Sequence, residues 1–463
     1  MGKVLVREQA IVPVLPWKSN DFLDPGVPGF FVQGQASKNR IVRCAKPLHS
    51  DLTLFYKFSR APYLRGMDLR QRFLHSLAPT TFSPLALEFV RAEGVYLYDL
   101  QGKAHMDLIS GIGVANLGHS HPEIVAAVQH QAAQHMHLMV YGEYAQLPQV
   151  AYAEALLAAL PDSMDQIYWG NSGAEAVDGA LKLAKRATGR TEILSFEGSY
   201  HGSTTGPLSA MGNECMKSAY RPLVPGHRIF PFNGTEVLDA IGAHTAAVLV
   251  EAIQSESGYI PADHAWLREL QARCRAAGAL LIVDEIQTGF GRSGEAFAFM
   301  ASGITPDVVC LAKALGGGMP LGAFAANRAL MATLAERPML GHLTTFGGHP
   351  VSCAAGLAAW TILARERFAL RAPILEDHFR RGLQDHPAVR EIRGRGALLA
   401  VVLDSFDRVL RVQQSLIQKG FLTDWFLFES QALRLAPPLT LSDDEAQRAV
   451  EAIRASLDET SNK

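Results

Sequence analysis

The chain has 463 residues, 48% of them hydrophobic and 19% charged, with a formal net charge of −2. This is the balance of a globular protein of two or three lobes; there is no basic excess for nucleic acid and no acidic tail. The longest apolar stretches, such as GALLAVVL from Gly396, fall well short of a bilayer span, and the cysteines (Cys44, Cys215, Cys274, Cys310 and Cys353) have no C-x-x-C spacing, as in a reduced, cytoplasmic protein without a disulfide or zinc framework.

Residues 1–66 carry ten basic and four acidic side chains, are frequent in Pro and Gly, and show little amphipathic periodicity. They read as an irregular N-terminal extension. MDLRQRFLHSLAP, from Met67, begins a clean amphipathic segment, so Met67 is the expected true start of the chain. GVYLYDLQGKAHMDLI, from Gly94, alternates and turns at Gln101-Gly102, which predicts a β-meander. A helix is expected after GHSHPE, through IVAAVQHQAAQH. Residues 67–140 are read as the N-terminal part of a small domain and its linker.

From Tyr141 apolar runs (QIYWG, EILSF, AAVLVEAI, ALLIVDE, DVVCLAK) are separated by helical segments. That spacing predicts an α/β lobe with a mostly parallel sheet over residues 141–349. Residues 350–463 open with helices, continue with short strands (GALLAVVL, ALRLAPPL), and close with a helix whose Ser442 and Glu445 have capping-box spacing. They are assigned, with the N-terminal flank, to a smaller α+β domain.

Several charged or polar groups fall where strands end. WGNSGAEAVDGALKLAKRATG, from Trp169, reads as strand, loop and helix, with Ser172 as N-cap and Gly173 and Ala174 as the first helical residues; such a helix start is a seat for phosphate. Tyr200, in FEGSYHGST, follows a strand and can stack on a ring. VEAIQSESG brings Glu256. Asp284 ends a run of four apolar residues, where an unpaired carboxylate is costly, and Ile286 and Gln287 follow it. Lys313 ends DVVCLAK. Thr345 precedes a Gly-Gly turn in HLTTFGGHP, suited to turn capping or to phosphate. Arg434 sits in ALRLAPPL, either at the surface or as a bidentate carboxylate clamp.

In open α/β sheets, ligands bind at the carboxyl ends of strands. A lysine and an aspartate delivered there suit pyridoxal 5'-phosphate: the lysine forms the Schiff base and the acid partners the pyridine nitrogen. Other motifs carry less. His119 with His121, and His135 with His137, are spaced i, i+2 and do not share a helix face. GIG at Gly111 and GGG at Gly316 lack the remainder of a nucleotide fingerprint. Lys182 and Lys185 read as solvated helix positions.

With these residues assembled, the chain from about Phe82 to Ile453 resembles the class III pyridoxal-phosphate-dependent aminotransferases, the ornithine, acetylornithine and 4-aminobutyrate group. The resemblance implies the fold type I architecture, Lys313 as the Schiff-base lysine, Asp284 on the ring nitrogen, Gln287 at the ring oxygen, and Ile286 and Tyr200 on the two ring faces. It makes Ser172, Gly173 and Ala174 the phosphate cup, and Thr345 a phosphate ligand from the neighbouring subunit of a homodimer. Arg434 becomes the clamp for the 2-oxoglutarate carboxylate, and Glu256 its partner when another substrate is bound. Substrate residues would include Phe82, Ile112 and Ser203, and these depart from the family. Ser203 stands where Arg is usual, as in amine:pyruvate and other ω-transaminases; Ile112 replaces the Tyr of ornithine-specific enzymes; Phe82 lacks a hydroxyl. His349 replaces the Asn of GGNP. The implied reaction is ping-pong transfer from an ω-amino acid or amine to 2-oxoglutarate; the alternatives are an amine:pyruvate-type ω-transaminase, an aminomutase or decarboxylase that reuses the same lysine, and a non-catalytic protein that binds the cofactor.

Overall fold

The computed structural model describes residues 66–461, so the N-terminal extension lies outside the described residues apart from Gly66. A helix at Leu69–Ser76 follows Met67 closely, as the amphipathic segment predicts, but none of its residues is buried. The expected meander is present as β1 (Phe89–Glu93), β2 (Tyr96–Asp99) and β3 (Ala104–Asp107). Phe421–Leu422 joins it parallel to β3, so the N-terminal and C-terminal flanks share one sheet.

Seven strands form the central sheet: β4 (Gln166–Gly170), β5 (Glu192–Phe196), β6 (His227–Phe230), β7 (Thr245–Glu251), β8 (Leu280–Asp284), β9 (Val308–Leu311) and β10 (Gly322–Ala326). Their spatial order is β4-β10-β9-β8-β7-β5-β6, and only β10 runs against the rest. β7 and β9 are buried along their whole length, which explains their unbroken apolar sequences. The helices Gly173–Thr188 and His264–Ala277 cross between parallel strands; each has a side-chain N-cap, Ser172 and Asp263, and a left-handed glycine at its end.

β10 escaped the sequence reading. GAFAA has weak intrinsic strand preference, and its place is set by packing. A Cβ at Gly322 would strike the Ser172 carbonyl, and Phe324 fills the space left by Gly179 on the adjacent helix. β6 was also missed.

A second antiparallel sheet holds β11 (Glu391–Gly394), β12 (Leu399–Val402) and β13 (Ala432–Leu435), with Asp424–Trp425 at its edge. β13 is buried throughout and carries Arg434 inward. The final helix, Asp443–Ser461, has the expected capping box: the Ser442 amide donates to Glu445 Oε2 at 2.9 Å and the Glu445 amide to Ser442 Oγ at 3.3 Å. Among the described residues no helix is long and apolar enough to cross a membrane, and no cluster of His, Cys, Asp and Glu could hold a metal ion.

Candidate active site

Because β4, β5, β7, β8 and β9 run in one direction, their carboxyl ends open on one edge of the sheet. A cavity of about 760 Å³ lies there, lined by residues that follow each of these strands: Ser172, Gly173 and Ala174 after β4, Tyr200, His201 and Ser203 after β5, Glu251 and Glu256 at and after β7, Asp284, Ile286 and Gln287 at and after β8, and Lys313 after β9. The sheet topology therefore collects residues scattered over 142 positions of sequence (172–313) into one chamber.

Lys313 has φ +53°, a left-handed conformation for a non-glycine residue, and it begins a single 3₁₀ turn, Lys313–Gly316. Such conformations persist where the surroundings over-determine them, commonly at functional sites. Burial holds the Lys313 ammonium below its ordinary pKa; the carboxylates of Glu256 and Asp284 oppose that shift and Arg434 adds to it.

Asp284 and Glu285 are consecutive, and the alternation of a strand separates them. Asp284 turns into the cavity. Glu285 turns away, where it accepts hydrogen bonds from Thr288 Oγ1 and the amides of Ala298 and Phe299. Asp284 Oδ2 lies 2.7 Å from His201 Nδ1, and Oδ1 accepts from the Ile286 amide at 3.0 Å. Strand register sets Glu251 of β7 directly beside Asp284. Glu251 accepts from the amides of Ser255 (3.0 Å) and Tyr200 (3.2 Å). Its carboxyl is raised from the usual range, first by burial and then by the charge of Asp284, against the pull of His201. His201 was missed by the sequence reading, although it directly follows the Tyr200 that was singled out.

Arg434 and Glu256 form a two-pronged ion pair, Nη2–Oε2 at 2.7 Å and Nη1–Oε1 at 3.1 Å, with both side chains buried. The Arg434 guanidinium also lies 4.5 Å from the centroid of the Phe426 ring. Burial alone would raise the Glu256 carboxyl; the charge of Arg434 and its hydrogen bonds bring it below its ordinary value. Glu256 lines the cavity and Arg434 does not, so the carboxylate stands between the guanidinium and the chamber.

The chamber fits pyridoxal phosphate. Gln287 is buried, yet both its amide oxygen and its nitrogen lack a hydrogen-bond partner, a pair of polar atoms left for a ligand. Ser172 Oγ caps the Gly173–Thr188 helix by accepting from the Glu175 amide at 3.2 Å. Helix geometry leaves the first amides, Gly173 and Ala174, without an intrahelical carbonyl. A Cβ at Gly173 would lie 2.9 Å from Ile286 Cδ1 and 3.2 Å from its Cγ2, so glycine leaves Ile286 its place in this close cradle. Ser172, Gly173 and Ala174 would hold the phosphate, Asp284 the ring nitrogen, and Lys313 the carbonyl carbon.

Three expected site residues stand elsewhere. Phe82 is 97% exposed and outside the cavity; the stretch between the Leu69–Ser76 helix and β1 is held from its far end, where Arg70 binds Glu88 and the carbonyls of Leu85 and Ala86, and does not reach the chamber. Ile112 lies in a left-handed turn (φ 62°) and does not line the cavity; Val114 does. Thr345 lines a separate cavity with Thr344, His342 and Lys182, so within one chain it does not meet the other phosphate-cup residues.

This fold and this chamber define a fold type I pyridoxal-phosphate-dependent enzyme. Residues 78–457 match the family model described as aminotransferase class-III. The chain is 34% identical over 392 residues to the acetylornithine aminotransferase of Methanothermobacter thermautotrophicus, covering 84% of this chain and 97% of that protein. It is 38% identical over 394 residues to the acetylornithine aminotransferase of Corynebacterium efficiens, covering 82% and 94%. Among solved structures, the ornithine aminotransferase of Toxoplasma gondii superposes with a TM-score of 0.80 at 27% identity, covering 89% of this chain and 99% of that one. An amine transaminase from an uncultivated Pseudomonas species, solved in its pyridoxal-phosphate-bound form, gives 0.77 at 27% identity, covering 83% and 98%. The chain belongs to the class III aminotransferases: it is an enzyme, and its cofactor is pyridoxal phosphate.

Proposed function

We propose that the enzyme moves an amino group from an ω-amino acid or amine to 2-oxoglutarate in two alternating half-reactions. The observation that carries this reading is the Arg434–Glu256 pair at the chamber wall beside Lys313 and Asp284. A site that serves one substrate with a carboxylate near Arg434 and one without needs a clamp that can be masked. Glu256 masks it for the amine; the incoming carboxylate of 2-oxoglutarate replaces Glu256 on Arg434 for the acceptor.

When bound, the cofactor supplies the carbonyl that captures the amine and the ring that disperses negative charge. Lys313 Nζ, its basicity lowered by burial, takes the proton from the amine-bearing carbon of the donor. Asp284 keeps the ring nitrogen protonated, and His201 Nδ1, at 2.7 Å, fixes the orientation of Asp284. Gln287 donates to the ring oxygen. Thr345 reaches the phosphate of a neighbouring subunit in a homodimer, consistent with its separation from the cup in one chain. We assign residues 141–349 to the cofactor-binding domain, and residues 67–140 with 350–463 to the smaller domain that carries Arg434.

A second reading, transfer to pyruvate, is favoured by Ser203. This neutral residue lines the chamber 3.1 Å from the Tyr200 hydroxyl and offers no charge for a second carboxylate. Steady-state assay of a donor panel (4-aminobutyrate, acetylornithine, ornithine, lysine, β-alanine, aromatic amines) against both acceptors decides. A clear preference for 2-oxoglutarate, lost in Arg434→Ala, is expected; equal or better use of pyruvate overturns the acceptor assignment.

A further inference from the structure

The last turns of the Gly173–Thr188 helix and the loop 333–341 enclose a pocket of about 360 Å³ that the aminotransferase reaction does not use. Four cations line it: Lys182, Lys185, Arg186 and Arg337. The one acid in its wall is Glu336. Two of the cations build the pocket. Lys182 Nζ contacts the Gly341 carbonyl at 3.1 Å and His342 Nδ1 at 3.0 Å; Arg186 donates to the carbonyls of Thr333 (3.2 Å) and Glu336 (2.6 Å). These partners are neutral; Lys182 also feels the Asp178 carboxylate one turn back on the helix, whereas Arg186 has no ion pair among the described residues. The side chains of Lys185 and Arg337 have no hydrogen bond or ion pair among the described residues. The nearest acids on the helix, Glu175 and Asp178, face a neighbouring cavity that Lys182 also lines; Asn171 and Thr204 bond them there, and neither acid lines the pocket with Lys185 and Arg337.

The negative end of a helix dipole favours Lys185 and Arg186 at this position. It does not account for Arg337, which comes from a separate loop into the same pocket. Nor does it account for Lys185, which is half-buried without a carboxylate and whose pKa is lowered by that burial. Converging, unpaired cations around a small concavity focus positive potential and select a compact polyanion. The pocket is distinct from the cofactor's phosphate cup: Lys182 lies nine residues along the helix from Gly173, roughly 14 Å at the helical rise.

We propose that this pocket binds a di- or triphosphate group, as a free polyphosphate or as the tail of a nucleotide. Lys185 and Arg337 supply the direct contacts; Lys182 and Arg186 hold the loop and add charge. The excess of cations over the single acid matches the charge of such a group, and the volume admits the phosphate chain.

The test is calorimetric titration of the holoenzyme, saturated with pyridoxal phosphate so that the cofactor site cannot take the probe. Inorganic tripolyphosphate, ATP and sulfate are compared at 50 and 300 mM salt, on the wild type, Lys185→Ala/Arg337→Ala and the milder Arg337→Gln. The proposal expects one saturable tripolyphosphate site per chain, weakened several-fold by the higher salt, at least tenfold in the double variant and measurably in Arg337→Gln, with unchanged turnover in the absence of probe. ATP binding as tightly as tripolyphosphate assigns recognition to the phosphate chain; tighter ATP binding adds a contact to the nucleoside. Absence of saturable binding, equal affinity for sulfate, or wild-type affinity in both folded variants overturns it.

Discussion

Glu256→Gln is the most informative single change in the acceptor clamp. The carboxylate makes two charge-assisted contacts with Arg434, at 2.7 and 3.1 Å, and accepts from the Leu427 amide at 3.2 Å. Removing one partner of a buried ion pair costs about 3–5 kcal/mol when nothing replaces it. Glutamine retains one acceptor, so the loss should fall near ~3 kcal/mol, read as a lower melting temperature of the holoenzyme. A carboxylate ligand supplies what is missing: 2-oxoglutarate at a hundred times its Kd returns about 2.7 kcal/mol by mass action. In stopped-flow half-reactions the variant no longer has to expel Glu256 to admit the acceptor. Apparent affinity for 2-oxoglutarate should therefore rise about tenfold, equivalent to ~1.4 kcal/mol, while an amine donor without a second carboxylate binds less well beside an unmasked guanidinium. Weaker or unchanged binding of 2-oxoglutarate in a folded variant would refute the masking argument.

Other consequences follow from the chamber. His201→Leu removes the group at 2.7 Å from Asp284 Oδ2; kcat should fall at least tenfold, and the pH at which the bound cofactor's absorbance titrates should move, whereas a merely structural histidine would leave that titration in place. Gly173→Val places branched carbons where a Cβ already lies 2.9 Å from Ile286 Cδ1, and equilibrium dialysis should show cofactor affinity lowered at least tenfold with the fold retained by circular dichroism; wild-type affinity would remove Gly173 from the cup. Burial lowers the Lys313 pKa, so its neutral amine is populated at lower pH than for a free lysine. The rate of covalent cofactor capture by the apoenzyme should rise with pH to a plateau, with a midpoint below the ordinary lysine value of about 10.5. A midpoint at or above it would contradict the burial argument.

Lys313 and Asp284 were legible because a charge ending an apolar run is costly unless the fold uses it, and both charges end such runs. The helix starting at Gly173 was legible through Ser172, and the final helix through Ser442 and Glu445. β10 was not legible: GAFAA becomes a strand because Gly322 and Gly179 permit close packing, a tertiary cause absent from local preference. His201 was hidden because a histidine in a turn shows no partner until β5 and β8 are set in one sheet. The Phe82 expectation placed an aromatic in the chamber by likeness, while the segment that carries it lies at the surface. Lys182 and Lys185 read as solvated positions on the helix alone, and only the loop bearing Arg337 makes a pocket of them.

The central claim is that Lys313 binds the cofactor covalently and that the bound cofactor carries the amino group between substrates. The direct measurement is the absorbance spectrum of the purified holoenzyme during a single half-reaction. An amine donor alone should remove the absorbance of the covalently held cofactor, and 2-oxoglutarate alone should then restore it with release of glutamate. Lys313→Ala should bind the cofactor without that absorbance and without turnover. A wild-type spectrum indifferent to amine donors, or turnover retained in Lys313→Ala, would contradict the account.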